Sequence, residues 1–533
     1  MPSEVVQEIL DWMHARQALC SRAEWPRLCR YCDQAEAALI LAPLTLRPCT
    51  PKVGFFALEQ PYQYLPPPQA FVVAVPPLPP RPDAPAGRPN PWRLPFYESN
   101  FRYLDQPNNS SIDPFDFIKR IPVPTVEEIV SDFGGEFRWQ GRVEDNRRLT
   151  GEQNNFNLFR EKLFLDTWYW GRFRTFFEVF WADASEQTVP PVFFDTNHGD
   201  FLNAFGELKL LDRDDRTLSA RFGGRQQLLF GHQRLVAPLD WANSPRTFDT
   251  VANALWRGLN WHLDAFWCRP NIILPRQLDK PNSQQQFFGL YAVYQGFRNQ
   301  VYDLYYLGFD QEKGPGITFN GEAGDLAIQT FGTRWQGQSK NLLWEGEAAY
   351  QFGHHRNLPR SAGMVTSGIG HRFARWPLVP ELWFYFDYAS GNRRPDGGSF
   401  GTFNQLFPFG HKFFGYMDIV GRQNIIAPNV LTRFSLGQRA SLLLWYYNFH
   451  LASARDALYN AAGTPIRFDP TGRAGRYVGD ELDIVLSFVM NPHSDWQIGV
   501  SHFWAGPFVQ RTANTPAQAE GGSFFYTQFL FRF

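Results

Sequence analysis

The sequence predicts an all-β protein: a transmembrane antiparallel β-barrel of about 18 strands behind a Pro-rich, partly disordered N-terminal leader. Three observations predict it. Apolar and polar residues alternate in segments of roughly ten residues from Gly134 onward. The spacers between these segments alternate short and long. The chain ends on "FFYTQFLFRF", in which Phe525, Phe529, Phe531 and Phe533 share one parity.

Composition supports the first observation. The 533 residues include 51 Phe and 18 Trp, yet mean hydropathy is only −0.35. Many large apolar residues in a polar chain are offset by polar neighbours, as a strand with one lipid face and one watery face requires. No stretch reaches the ~18 unbroken apolar residues of a spanning helix; "EAALILAPLTL" is too short and contains Pro. The net charge of −1 gives no global field to draw a nucleic acid.

Residues 1–125 read as a largely irregular leader and 126–533 as the barrel. The leader opens on a helical pattern, "SEVVQEILDWMHARQALC", and holds Cys20, Cys29, Cys32 and Cys49. Cys29-x-x-Cys32 has the spacing of half a zinc or redox site, but no second pair or His cluster accompanies it, so incidental cysteines are the preferred reading. A body whose one cysteine is Cys268 suits a compartment where free thiols are a hazard. Nothing after Met1 has the charged, apolar and small-residue regions of a signal peptide; either the start lies elsewhere or the export signal is atypical. The tract "YLPPPQAFVVAVPPLPPRPDAPAGRPNPW" reads as an extended linker, and "TVEEIVSDF" at 125–133 as a short helix.

The alternation is explicit in each strand. "FRTFFEVFWA" sets Phe173, Thr175, Phe177, Val179 and Trp181 against Arg174, Phe176 and Glu178. "LLWEGEAAYQF" sets Trp344, Ala348, Tyr350 and Phe352 against Glu345, Glu347 and Gln351, and "ELDIVLSF" sets Leu482, Ile484, Leu486 and Phe488 against Glu481, Asp483 and Ser487. Strand starts fall near 135, 157, 173, 202, 217, 247, 259, 286, 301, 326, 343, 362, 381, 429, 441, 480, 495 and 522. "YWGR", "LLDRDDR", "QGFRNQ" and "NPHSD" are short spacers, whereas residues 391–424 and 451–479 are long ones. That rhythm is the one of periplasmic turns and extracellular loops, with both termini periplasmic in an outer membrane. A soluble propeller or sugar-binding sandwich would also alternate, but it has no reason to keep the rhythm, and no propeller-length repeat is present.

A barrel this wide encloses water, so function belongs to inward residues. Parity aims Arg138, Arg160, Arg174, Arg221 and Arg225 inward, with Arg234 beside the loop after the fifth strand. Glu178, Glu345, Glu347, Asp387 and Asp483 face inward too. Rings of Arg select anions in pores, whereas inward Arg and Glu that neutralise each other across strands give a lumen without preference. Phe529, Phe531 and Phe533 make an aromatic end that fits an assembly signal.

"GGRQQLLFGHQRLVAPLDWANSPRTFD" resembles the signature stretch of the alginate export family of outer-membrane porins, through Gly224, Arg225, Gln226, Gly231, Arg234, Leu235, Trp241, Arg246, Phe248 and Asp249. "EAAYQFG", "DYASGN", "TFNQLFPFGHKFFGYMD", "GRQN", "VGDELD" and "SHFWAGPF" are similar in turn, so the resemblance spans roughly 134–533. It implies a monomeric 18-stranded barrel that passes a polyuronate through an electropositive constriction without catalysis. Asn392 departs from the Asp usual there in the family, and the leader has no counterpart.

Walker, G-x-S-x-G and H-E-x-x-H motifs are absent from the sequence, and His354–His355 reads as a solvated loop. The expectation is a porin that is no enzyme and needs no cofactor or metal. Its partners are an anionic polysaccharide, outer-membrane lipid, the barrel-assembly machinery and periplasmic export partners. The alternatives are a general small-solute porin or a β-rich polysaccharide-binding protein.

Overall fold

The computed structural model describes residues 91–105, 113–123, 126–312, 318–319, 322–394 and 397–533. Eighteen antiparallel strands follow one another around a closed barrel. The first six are β1 Val126–Asp145, β2 Asn154–Tyr169, β3 Phe173–Ser185, β4 Asn197–Arg213, β5 Arg216–Gln226 and β6 Phe248–Gly258. Next come β7 Trp261–Ile272, β8 Gln285–Tyr294, β9 Gln300–Gln311, β10 Leu326–Ser339, β11 Leu342–His355 and β12 Leu358–Arg372. The last are β13 Glu381–Ala389, β14 Ile425–Leu436, β15 Ala440–Leu451, β16 Tyr477–Asn491, β17 Ser494–Ala505 and β18 Gly522–Arg532.

Strand β18 closes the barrel on β1, with Phe529 opposite Trp139 and Arg532 opposite Glu136. One residue further, Phe533 and Gly135 exchange backbone hydrogen bonds at 3.0 and 3.1 Å. Glycine is needed there: a Cβ on Gly135 would run into the Phe533 ring at 2.8 Å and into the Lys162 carbonyl.

The parity read from the sequence is the parity of the barrel. On β3, Phe177, Val179 and Trp181 are 46, 40 and 38% exposed, while Arg174, Phe176, Glu178 and Phe180 between them are buried. Exposed large rings alternating with buried charge mean an apolar outer face and a filled interior, the inverse of a soluble protein. On β18, Phe525, Phe529 and Phe531 lie outside and Phe524, Tyr526, Gln528, Leu530 and Arg532 inside. The connections 170–172, 214–215, 259–260, 295–299, 340–341, 373–380, 437–439 and 492–493 define a short-turn end; those at the other end, from 146–153 to 390–424, are as long as the longest of these or longer, except 356–357.

Several expectations move. Residues 126–133 are not a helix: β1 starts at Val126, and Ile129 to Gly134 pair with Phe164 to Tyr169. Ile129 and Val130 are stiff, β-branched residues, and an open ladder edge on β2 overrides the weak helical spacing. His354 and His355 end strand β11, and the His355 ring stacks on Phe400 at 4.3 Å instead of lying in a solvated loop. Ahead of the barrel, Ile121–Val123 pairs with β1 and residues 91–105 pack on lumen-facing rings. The early helical pattern, the four leader cysteines and most of the Pro-rich tract lie outside the described residues. Cys268 is buried on β7, its thiol 3.3 Å from the Phe287 carbonyl.

Candidate functional site

Two long connections fold into the lumen. Residues 227–247, after β5, lie against β1 and β2, where Arg138 donates to the Asp240 and Ala242 carbonyls and Arg160 donates to Asp240 O at 2.8 Å. Asn243 Nδ2 donates to the carbonyls of Phe159, Asp183 and Asp195. The same connection reaches the far wall through Arg234, which pairs with Glu345 and, at 3.0 Å, with Glu347 on β11. Residues 390–424, after β13, run beside it: Ala237 N donates to Phe407 O at 2.8 Å and Phe407 N to Leu235 O at 2.9 Å. Tyr416 N and Met417 N then donate to Asp483 and Glu481 on β16. Gly415, at φ +91°, allows this approach, because a Cβ would overlap the Glu481 carboxyl. The two connections form a crossbar through the barrel.

The sequence-predicted lumen residues are engaged strand to strand or by this crossbar, most of them in ion pairs. Arg160 sits 2.7 Å from Glu136 and 3.0 Å from Asp240, which Lys162 also reaches at 2.8 Å. Arg174 holds Asp166 at 2.7 Å, and Arg221 holds Glu207 at 2.7 Å. Arg422 joins Asp387 at 2.9 Å. Glu178 accepts from Asn203 at 2.6 Å. A guanidinium whose donors are all engaged by carboxylates or carbonyls has few left for a solute.

Arg225 is a correction. Gly223 and Gly224 have φ +75° and +62° and create a bulge opposite β4, and an extra residue exchanges the two faces of the strand beyond it. Past the bulge, Gln226 and its ladder partner Phe248 face the lumen, where Phe248 meets Phe407. Arg225 and its partner Asp249 therefore face the other way. Its guanidinium is held by Asp200 at 2.6 Å, Asp249 at 3.1 Å and the Asp279 carbonyl at 2.6 Å, under the 273–284 connection. It staples the rim.

Sequence reasoning missed a less buried group at the short-turn end of β12–β14. Glu381 accepts from Arg372 at 3.0 Å, lies 3.5 Å from Arg433 and accepts from Trp383 Nε1 at 2.8 Å. The Arg372 and Arg433 side chains remain 25 and 20% exposed, against 0–9% for Arg160, Arg174, Arg221, Arg225 and Arg234. Glu381 thus stands between two guanidiniums that both stay partly exposed. The half-buried amine of Lys412, on the crossbar, feels Arg433 as well; burial and then the guanidiniums of Arg234, Arg334 and Arg433 hold it well below the usual lysine range.

Beside these cations the rings of Trp383 and Tyr385 stack at 5.2 Å and 12°. Each lies across a glycine of β12: a Cβ on Gly370 would meet the Trp383 ring, and one on Gly368 the Tyr385 ring. The rings thus lie flat on the wall. The sequence signal was available in "SGIGHR" beside "ELWFYFD", small residues in register with large ones. The aromatic end behaves differently: Phe531 stacks on Phe533 at 6.2 Å, and Phe115 contacts both on the outer side of the short-turn end.

A closed 18-stranded barrel with an exposed aromatic exterior, a charged interior and long connections at one end is an outer-membrane porin-type channel. The sequence model of the alginate export family matches residues 130–522, and the chain belongs to that family. Among solved structures, OccAB1 of Acinetobacter baumannii is similar with a TM-score of 0.52 at 10% identity, covering 76% of this chain and 97% of that one. OpdK of Pseudomonas aeruginosa gives 0.52 at 10%, with 76% and 99% covered. OccK8 (OprE) of Pseudomonas aeruginosa gives 0.50 at 9%, with 76% and 98% covered. At such identities these likenesses speak for the fold alone. No curated protein matches the chain by sequence.

Proposed function

We propose that the barrel passes an anionic polysaccharide of polyuronate type, passively and without a catalytic step, with both termini on the periplasmic side. The observation that carries the reading is the β12–β14 wall. Arg372 and Arg433 there share one carboxylate, remain partly exposed, and stand next to the flat-lying Trp383 and Tyr385. A uronate ring offers a carboxylate for a guanidinium and an apolar C–H face for an aromatic plate, so one wall matches both halves of the repeat. Weak, repeated contacts of this kind suit conduction, which requires release as well as binding. Membership of the alginate export family supports the same substrate class.

The dense pairing of the remaining lumen charges favours the second reading, a general small-solute porin. Planar-bilayer recording separates the two. The proposed channel shows anion preference in a salt gradient and is blocked by a polyuronate but not by a neutral glucan. Equal passage of cations and anions, with no block by the polyuronate, overturns the first reading and leaves the second. We also assign Phe529, Phe531 and Phe533 to recognition by the assembly machinery. Deleting Phe533 should lower the yield of folded barrel while the channels that form conduct normally.

A further inference from the structure

The described part of the leader is built into the lumen. On the inner face of β2, β3 and β4, where the neighbouring inward residues are Lys162, Arg174 and Glu207, three rings form a continuous stack. Phe164 lies 5.9 Å from Phe176 at 14°, and Phe176 lies 5.6 Å from Phe205 at 19°. Three phenylalanines on a polar inner face would be a defect if water met them. Water does not: residues 91–105 cover them with a second tier of rings. Tyr97 stands edge-on to Phe176 and Phe205, at 6.0 and 5.4 Å, and Trp92 edge-on to Phe164 at 6.4 Å. Edge-to-face is the arrangement the ring quadrupoles favour. Trp92, Phe96, Tyr97, Phe101 and Leu104 are all buried.

Polar contacts fix the segment in one position. The Tyr97 hydroxyl donates to the Gln227 carbonyl at 2.6 Å, at the root of the crossbar, and Arg174 donates to the Tyr97 carbonyl at 2.6 Å. Lower down, the Lys119 amine lies within 4.9–5.5 Å of the Trp92, Phe101 and Phe164 ring centres. It donates to the Phe133 carbonyl and, at 3.1 Å, to the Phe533 carbonyl across the barrel seam. His493, in the last short turn, meets Asp113 at 2.6 Å. The segment is thus tied to both sides of the seam, to the β2–β4 wall and to the crossbar.

We propose that residues 91–105 form an internal plug that determines the specificity of the channel, with Asp113 and Lys119 fastening the chain that follows at the seam. The plug fills the lumen beside β1–β5 from the short-turn end, narrows the bore, and leaves the β12–β14 wall as the surface a passing solute meets. It follows that the leader is a pore component and not only a linker. This inference does not depend on the identity of the solute.

The test uses the full chain with Trp92→Ser, Phe96→Ser and Tyr97→Ser, which replace the covering rings by polar groups. Barrel folding is checked by heat-modifiable gel mobility, and release of the segment by trypsin cleavage after the exposed Arg102. The expected result is a severalfold rise in single-channel conductance in salt and a larger cut-off for poly(ethylene glycol) entering the pore. Unchanged conductance and unchanged cut-off in a folded barrel whose Arg102 is cut would overturn the proposal. If the triple variant does not assemble, Glu98→Cys decides, in a chain whose leader cysteines are serine. Glu98 is about half exposed, beside Tyr97. A bulky maleimide attached there should depress the current, and a current unchanged by complete labelling overturns the plug.

Discussion

On the β1–β5 wall, Arg160, Arg174 and Arg221 are each less than a tenth exposed and each pairs with a carboxylate of a neighbouring strand, of the crossbar or of both. On the β12–β14 wall, Arg372 and Arg433 share Glu381, stay a fifth to a quarter exposed and stand beside the stacked, partly buried rings of Trp383 and Tyr385. The residue types are the same and the availability is not. Charge on the first wall assembles the interior: it holds the plug and the crossbar in place, and the carboxylates that do so cancel its field. Charge on the second wall stays partly exposed, so it can reach a solute. A lumen is therefore not characterised by counting its arginines; what matters is how much of each stays open to the bore.

The largest expected effects come from removing charge on the structural side of that division. Arg234→Ala strips the crossbar of its anchor and leaves Glu345 and Glu347 buried together. Breaking a buried pair of this kind costs about 3–5 kcal/mol, measurable as a lower urea midpoint for the folded, heat-modifiable form. Arg225→Ala should likewise weaken the barrel, by uncoupling Asp200 and Asp249 at the rim, and should leave ion selectivity as it is. A selective loss of anion preference in Arg225→Ala, at unchanged stability, would break the comparison.

Arg433→Ala is the opposite case. Its pair with Glu381 is partly solvated, so stability should change by only about 1 kcal/mol or less. Anion preference, read from the reversal potential in a salt gradient, should fall severalfold, and block by a polyuronate should weaken with it.

Lys412 gives a smaller and pH-dependent effect. Burial and neighbouring guanidiniums lower its titration below that of an ordinary lysine at ~10.4. Raising the pH through that lowered value removes a positive charge from the crossbar, so anion preference should decline with rising pH before ordinary lysines titrate. Lys412→Met should abolish that step, and a profile identical in wild type and Lys412→Met would count against a lysine contribution.

Strand number, parity and the short-turn end were legible in the sequence because a membrane barrel writes them in a period of two. That signal repeats along most strands from Phe173 to Arg532. The charge pairing was not legible, since Arg234 meets Glu345 and Glu347 only when a connection folds back through the lumen. Nor was the orientation of Arg225, because parity counting assumes an unbroken ladder and the Gly223–Gly224 bulge shifts it by one residue. Gly224, which helped carry the family resemblance, also undid the assignment of the arginine beside it. The packing of the described part of the leader was hidden for a related reason. Its Pro-rich texture is local, whereas its partners Phe164, Phe176 and Phe205 lie far along the chain, visible only as three aromatic residues on the wrong face.

The smallest effect is expected from Trp383→Ala, and it separates the two components of the β12–β14 wall. The substitution removes a neutral plate and one hydrogen bond to Glu381 while leaving Arg372 and Arg433 in place. Salt conductance and reversal potential should therefore stay near wild type. Block by a polyuronate should weaken by an amount that one ring stack supplies, about 0.5–1.5 kcal/mol, or severalfold in the blocking constant. A simple polyanion without sugar rings, such as a short polyphosphate, should block the variant and the wild type equally. If both polymers lose affinity together, the ring acts only by orienting Glu381 and its arginines. If neither does, the plate is part of the wall and not of the solute path, and charge alone distinguishes the two sides of the lumen.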